Sequence, residues 1–297
     1  MKKSKSIIYA GLAAMALSAC TNEAPDAALN VHIDGTQCKA GVPVNFKIDG
    51  KADNIVFYSG EPGHEYSLRD RLFADNDLMV DFVSFTDQST DVHKNFQILV
   101  SSDFNGIYDA ENVAAATWTD VTDKFTLPAV RSKNTPSGEV NLKEYAGTEN
   151  DDLIYIAFRY YDKDGVAVKN RWVVRSINIV KVSPEGGRFL LADIKTAGWK
   201  NVAMSGIAKW TLPGSQLLAA GNTSTSDKDM WAVSAGFNIH TSEPSTGVIL
   251  KNIATDLDTY QYTYTEPGTY EAVFASSSVW YNSESTSIAK VTVTVTE

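Results

Sequence analysis

Residues that carry covalent or redox chemistry are scarce in this chain. Cysteine occurs twice in 297 residues, at Cys20 and Cys38, too few for the disulfide framework of a small exported domain. Histidine occurs four times, at His32, His64, His93 and His240, with no metal-ligand spacing among them. His64-Glu65 opens like the helix of a zinc protease, but Leu68 stands where the second histidine is required. A Gly-x-Ser-x-Gly elbow, a P-loop and a dinucleotide fingerprint are all missing. Positive charge is short as well: 26 Lys and Arg against 36 Asp and Glu give a formal net charge of −10. Such a chain repels phosphate backbones, so nucleic acid is excluded as an expected partner. After the first twenty residues no apolar run is long enough to span a bilayer. The expectation is a protein that is not an enzyme. Thirty-six acidic residues could hide a glycosidase pair, but ordinary surface carboxylates account for them.

The first residues are the exception to this plainness. Lys2, Lys3 and Lys5 precede an apolar stretch from Ile7 to Leu17, and Leu17-Ser18-Ala19-Cys20 closes it. Small residues before a cysteine suit a signal peptidase, and the pattern resembles the lipobox of bacterial lipoproteins. That resemblance implies cleavage before Cys20 and a diacylglyceryl thioether on its sulfur. Buried lipid contributes about 0.8 kcal/mol per CH₂, so several acyl chains anchor a protein without a membrane helix. Removing the leader takes three lysines away and leaves a charge near −13, three below −10. Cys38 then stands alone, as a small buried hydrophobe. Thr21 to Leu29 is small, polar and slightly acidic, a tether. It resembles the surface-export signals of Bacteroidota lipoproteins, which implies an outer-membrane location facing the cell exterior.

From there the pattern is β. Val42 to Ile48 alternates apolar and polar and stops at Asp49-Gly50; Ile55 to Tyr58, Leu78 to Phe85 and Phe96 to Val100 are further strands. Leu153 to Tyr161 and Arg171 to Val180 flank Asp162-Lys163-Asp164-Gly165, a hairpin turn signal. Tyr260, Tyr262 and Tyr264 share one face, Pro267-Gly268 makes a turn, and Tyr270, Ala272 and Phe274 resume on one face. Val291, Val293 and Val295 alternate with threonine, a half-buried strand. Helical turns are expected only at Ala110 to Ala116 and Phe189 to Lys195, and Gly214 to Asp229 reads as loop. Hydrophobic content of 43% supplies a core, and many short strands punctuated by Gly, Pro and Asn predict an all-β fold of sandwiches.

At Asp53-Asn54-Ile55-Val56-Phe57-Tyr58-Ser59-Gly60-Glu61-Pro62-Gly63-His64-Glu65-Tyr66 the chain resembles Bacteroidota lipoproteins that carry domain of unknown function 5017. The likeness continues at Val100 to Gly106, Ala116 to Thr119 and Ile156 to Tyr160. The second group also resembles jelly-roll, galactose-binding-like modules. Tyr264 to Tyr270 with the valine strand resembles the end of a polycystic-kidney-disease-type immunoglobulin-like domain. These resemblances imply immunoglobulin-like and jelly-roll β-sandwiches in tandem on a lipid tether. The segments are a signal peptide at 1–19, a lipidated tether at 20–29, immunoglobulin-like strands at 30–77, a jelly roll at 78–185 and a second immunoglobulin-like sandwich at 186–297. A second arrangement pairs the strands around Val42 to Tyr58 with the C-terminal strands and inserts the jelly roll between them. The family brings no catalytic residues. It implies lipoproteins encoded beside glycan-uptake systems, hence polysaccharide or oligosaccharide as ligand and proteins of a glycan-uptake complex as partners. An adhesion or structural role with a protein partner is the alternative.

Two groups of residues are candidates for sites. Asp103, Asn105 and Asp109 surround Gly106, with Glu111 and Asn112 beyond. Oxygen ligands on such a loop suit a structural Ca²⁺, though caps and turns use the same residues. No other cofactor is expected; Asp75, Asn76 and Asp77 make a weaker case. The second group is aromatic, because sugar rings pack C–H faces on aromatic rings and need polar partners for their hydroxyls. Trp118, Trp172 and Trp231 sit in or at strands and are assigned to the core. Trp280-Tyr281-Asn282, set among serines, reads as an exposed hairpin tip and glycan platform; Trp199 and Trp210 flank polar loops and join it as candidates. Arg69-Asp70-Arg71, near Glu61 and Glu65, is read as a solvated strand face with surface ion pairs.

Overall fold

A computed structural model describes residues 23–35, 37–87, 95–162, 170–206, 209–219 and 228–297. Cys20 and the leader lie outside the described residues, as do Lys163, Asp164 and Gly165 of the turn signal. The fold is all-β, in two units: residues up to Glu61 together with Gly247–Glu297, and Pro62–Thr246. The chain therefore takes the inserted arrangement, and the boundaries expected at 77/78 and 185/186 move to 61/62 and 246/247.

The first unit is a two-sheet sandwich. One sheet runs Ala28–Ile33, Pro43–Lys51, Thr259–Thr263; the other runs Val248–Lys251, Asn54–Tyr58, Gly268–Trp280, Ser283–Thr296, Gln37–Lys39. Period-two alternation explains the core directly, since Val44, Phe46 and Ile48 on one strand meet Ile55 and Phe57, Ala272 and Phe274, Val293 and Val295 on the others. Phe274 lies 5.2 Å from Phe46 and 5.0 Å from Phe57, ring centroid to centroid. Tyr260, Tyr262 and Tyr264 pack on this cluster from one strand face and its continuation, and the buried Tyr264 hydroxyl donates to the Ser59 carbonyl at 2.9 Å. Gly60 permits the turn out of Asn54–Tyr58: its φ is +83°, and a Cβ there would sit 2.7 Å from the Glu271 carbonyl oxygen. Cys38 is half-buried on the edge strand beside Val295, and burial pushes its thiol pKa up, away from the reactive thiolate.

The second unit is also a sandwich, with a third layer. One sheet has the order Lys200–Ser205, Lys228–Val233, Tyr155–Asp162, Phe96–Ser101, Thr119–Asp120. The facing sheet has Arg188–Asp193, Arg171–Val182, Asp77–Asp87 and Thr135–Pro136, with Leu217–Ala219 and Val140–Asn141 at its margins. Leu78, Val80, Phe82, Ile98, Ile156, Phe158, Trp172 and Ile179 fill the space between. Trp172 is stacked on Phe96 at 4.7 Å, and its Nε1 donates to the Asn95 Oδ1 at 2.7 Å. The outer face of the first sheet carries Leu99, Tyr155, Val202, Trp231 and Val233, covered by Phe104, Val113 and Trp118 from the segment that holds the short helix Ala110–Ala115. Trp231 and Trp118 pack edge-on at 5.1 Å, so the three tryptophans assigned to strands do pack into cores.

Three local expectations change. Tyr155–Asp162 and Arg171–Val182 are not a hairpin: they lie in facing sheets, each paired with other strands. The helical turn expected over Phe189 to Lys195 is the strand Arg188–Asp193, where pairing with Arg171–Val182 overrides a weak local pattern. Gly214 to Asp229 is loop only in part, since Leu217–Ala219 is a strand and Lys228–Val233 begins within it.

Candidate functional site

The second unit holds an open cleft of about 760 Å³. Three separate segments build it: Phe73 to Asp75 before a central strand, Asn141 to Asn150 around the short 3₁₀ turn Lys143–Tyr145, and His240. Its walls are tied by backbone groups. Ala74 N–H donates to the His240 carbonyl at 2.8 Å. Asn238 bridges two walls, donating from Nδ2 to the Asn150 carbonyl at 2.8 Å and accepting from His240 N–H at 2.8 Å. The buried Asn76 donates to the carbonyls of Ile239 and Thr241 at 2.6 and 3.0 Å. Such pinned backbone gives a preformed site.

The lining combines one apolar ring with polar groups. Phe73 is 45% exposed. Asn141, Thr148 and Asn150 present exposed amide and hydroxyl groups, and the His240 Nε2 is buried without a hydrogen-bond partner among the described residues. The charges are already paired. Lys143 Nζ lies 2.8 Å from Asp75 and 3.7 Å from Asp77, and the Asp75 contact raises the lysine pKa. Glu144 pairs with Lys124 at 2.9 Å, which holds the glutamate below the usual carboxylate range. A glycosidase general acid needs the opposite shift.

The aromatic candidates separate. Gly268–Trp280 and Ser283–Thr296 form a hairpin in the first unit, with Trp280 opposite Ser283 and Tyr281-Asn282 as its two-residue turn. Trp280 is 57% and Tyr281 86% exposed, so this tip stands in solvent as expected. Trp210 is not a platform: it is 2% exposed in the core of the second unit, with its Nε1 donating to the Met230 carbonyl at 3.0 Å. Trp199 is half-buried against the same core, 5.4 Å from Phe158.

The residues considered for calcium make local hydrogen bonds. Asp109 is the N-cap of Ala110–Ala115, accepting from Asn112 N–H at 2.8 Å, a bond that holds its carboxyl below the usual range. Asp103 Oδ1 accepts from Ser101 Oγ and Thr117 N–H, each at 2.8 Å, and Asn105 Oδ1 accepts from Ile107 N–H at 2.9 Å. Among the described residues no three His, Cys, Asp or Glu side chains gather as a metal set. Arg69-Asp70-Arg71 follows a 3₁₀ turn rather than lying on a strand; Arg71 forks onto Glu185 at 2.7 and 2.8 Å, and Arg69 covers the Tyr66 ring. His64-Glu65 is not helical either: the pair is irregular chain, with Glu65 extended just before the 3₁₀ turn Tyr66–Leu68 and accepting from Gly63 N–H and Ser245 Oγ, each at 2.8 Å.

A family model described as Domain of unknown function (DUF5017) matches residues 18–199, well over half of the chain. The chain belongs to this family. The DUF5017 match covers the first two cleft segments and stops short of the third, His240. No curated protein and no solved structure matches the chain.

Proposed function

We propose that this DUF5017 protein is a non-catalytic Bacteroidota lipoprotein, held to the outer membrane by lipid on Cys20 and facing the cell exterior, that binds glycans for a polysaccharide-utilisation system. The observation that carries the glycan reading is the cleft. An exposed phenyl ring beside amide and hydroxyl groups answers the two faces of a sugar, apolar C–H and polar O–H. Binding rather than hydrolysis fits carboxylates that are paired with Lys143 and Lys124. Affinity electrophoresis of the chain from Thr21 onward over a panel of host and plant polysaccharides tests the reading: retention by at least one glycan is expected, and no retention across the panel sinks it.

The alternative, adhesion to a protein partner, has one observation in its favour. Ile249, Val56, Ala275 and Ile288 form a cross-strand row on the outer face of a first-unit sheet, with Ile249 76% exposed on the edge strand.

A further inference from the structure

The hairpin tip of the first unit has a neighbour that gives it a different role from the cleft. Ala27 N–H donates to Ser285 Oγ and Ala24 N–H to Ser283 Oγ, both at 3.0 Å. Followed backwards, the chain thus climbs the hairpin toward its end, and Ser283 is the residue opposite Trp280. Three residues lie between Cys20 and Ala24, so four Cα-to-Cα steps join them. A chain extends by at most roughly 3.6 Å per residue, so Cys20 lies within about 14 Å of Ala24. A headgroup layer is itself about 5–8 Å deep. Lipid on Cys20 therefore brings the bilayer surface within reach of the tip.

The tip has the composition of a membrane-interface element. Val279, Trp280 and Tyr281 are all more than half exposed. From Ser276 to Ile288 the hairpin carries a single charged residue, Glu284. Tryptophan and tyrosine concentrate where water meets headgroups, because their rings are apolar on one side and polar on the other. We propose that Trp280 and Tyr281 seat in the headgroup layer of the membrane that holds the lipid anchor, and so fix the first unit against that surface. The proposal rests on the lipid-anchor reading of Cys20, and it assigns the tip to lipid rather than to glycan.

The test uses the full mature lipoprotein reconstituted in phosphatidylcholine vesicles, with a matched set of vesicles brominated on the acyl chains. Flotation on a density gradient reports the anchor, and quenching of tryptophan fluorescence reports the tip. The expected result is flotation of the parent and of Trp280→Ala alike, with quenching in the parent that the variant loses. Because Trp280 is one of six tryptophans, that quenching is a minor fraction of the total emission. Flotation with quenching equal in parent and variant overturns the tip assignment and leaves the anchor standing. Failure to float overturns the anchor and the tip assignment with it. Loss of polysaccharide retention in Trp280→Ala, with vesicle quenching absent in the parent, overturns the proposal and returns the tip to glycan.

Discussion

Replacing Phe274 by alanine should weaken strands at both ends of the chain at once. The side chain is fully buried, with Phe46 and Phe57 at 5.2 and 5.0 Å and Tyr260 edge-on at 6.5 Å. Truncating a buried Phe costs roughly 3–5 kcal/mol, lost transfer energy plus the cavity left behind. Aromatic pairs contribute about 0.5–1.5 kcal/mol beyond buried area, which places this site in the upper part of that range. At 1.4 kcal/mol per factor of ten, the upper part of the range means that amide protection should fall by roughly three to three and a half orders of magnitude. Residue-resolved hydrogen exchange on the intact chain reads this directly. The amides of Pro43–Lys51 and Asn54–Tyr58 should lose protection together with those of Gly268–Trp280, because they share one core. If Pro43–Lys51 keeps its parental protection while Gly268–Trp280 loses its own, the two chain ends do not form a single cooperative unit, and the reasoning fails.

Two further outcomes follow from the same structure. The Tyr262 hydroxyl donates to the Glu61 carboxylate, and burial first, then that hydrogen bond, pushes its pKa up to about 12. A raised tyrosine pKa stabilises the fold fully below the ordinary value of 10 and loses that contribution as pH climbs through 12, so Tyr262→Phe should flatten part of the alkaline destabilisation and remove one late step from a tyrosinate absorbance titration; an unchanged titration contradicts this. A chain cut after Trp199 keeps the whole DUF5017 match but lacks Lys200–Ser205 and Lys228–Val233 from one sheet and Gly268–Trp280 and Ser283–Thr296 from another. It should show no cooperative thermal transition by circular dichroism, and a sharp one would refute the division into units.

Strands were legible wherever one face is buried and the other wet. Val291, Val293 and Val295, or Val44, Phe46 and Ile48, announce their face through a period of two that has no rival in so short a run. Pairing was less legible. Asp162-Lys163-Asp164-Gly165 signals a reversal of the chain, but local turn chemistry does not say whether the next strand joins the same sheet or the facing one. The unit boundaries at Glu61 and Gly247 carry no change of composition, since both units are built from the same alternating strands. Trp280 could be placed because a two-residue turn among serines leaves a side chain nowhere to fold. Trp199 and Trp210 could not, because polar neighbours in sequence do not decide which way a side chain points. The cleft escaped the sequence altogether: Phe73, Asn141 and His240 come from three distant segments, and only the tertiary fold gathers them.

Calorimetric titration of a retained polysaccharide into the parent, Phe73→Ala and Trp280→Ala proteins tests the central claim most directly. With the site in the cleft, Phe73→Ala should weaken the Kd at least about tenfold, or roughly 1.4 kcal/mol, while Trp280→Ala leaves it unchanged. A Kd indifferent to Phe73→Ala would contradict the assignment of glycan binding to this cleft.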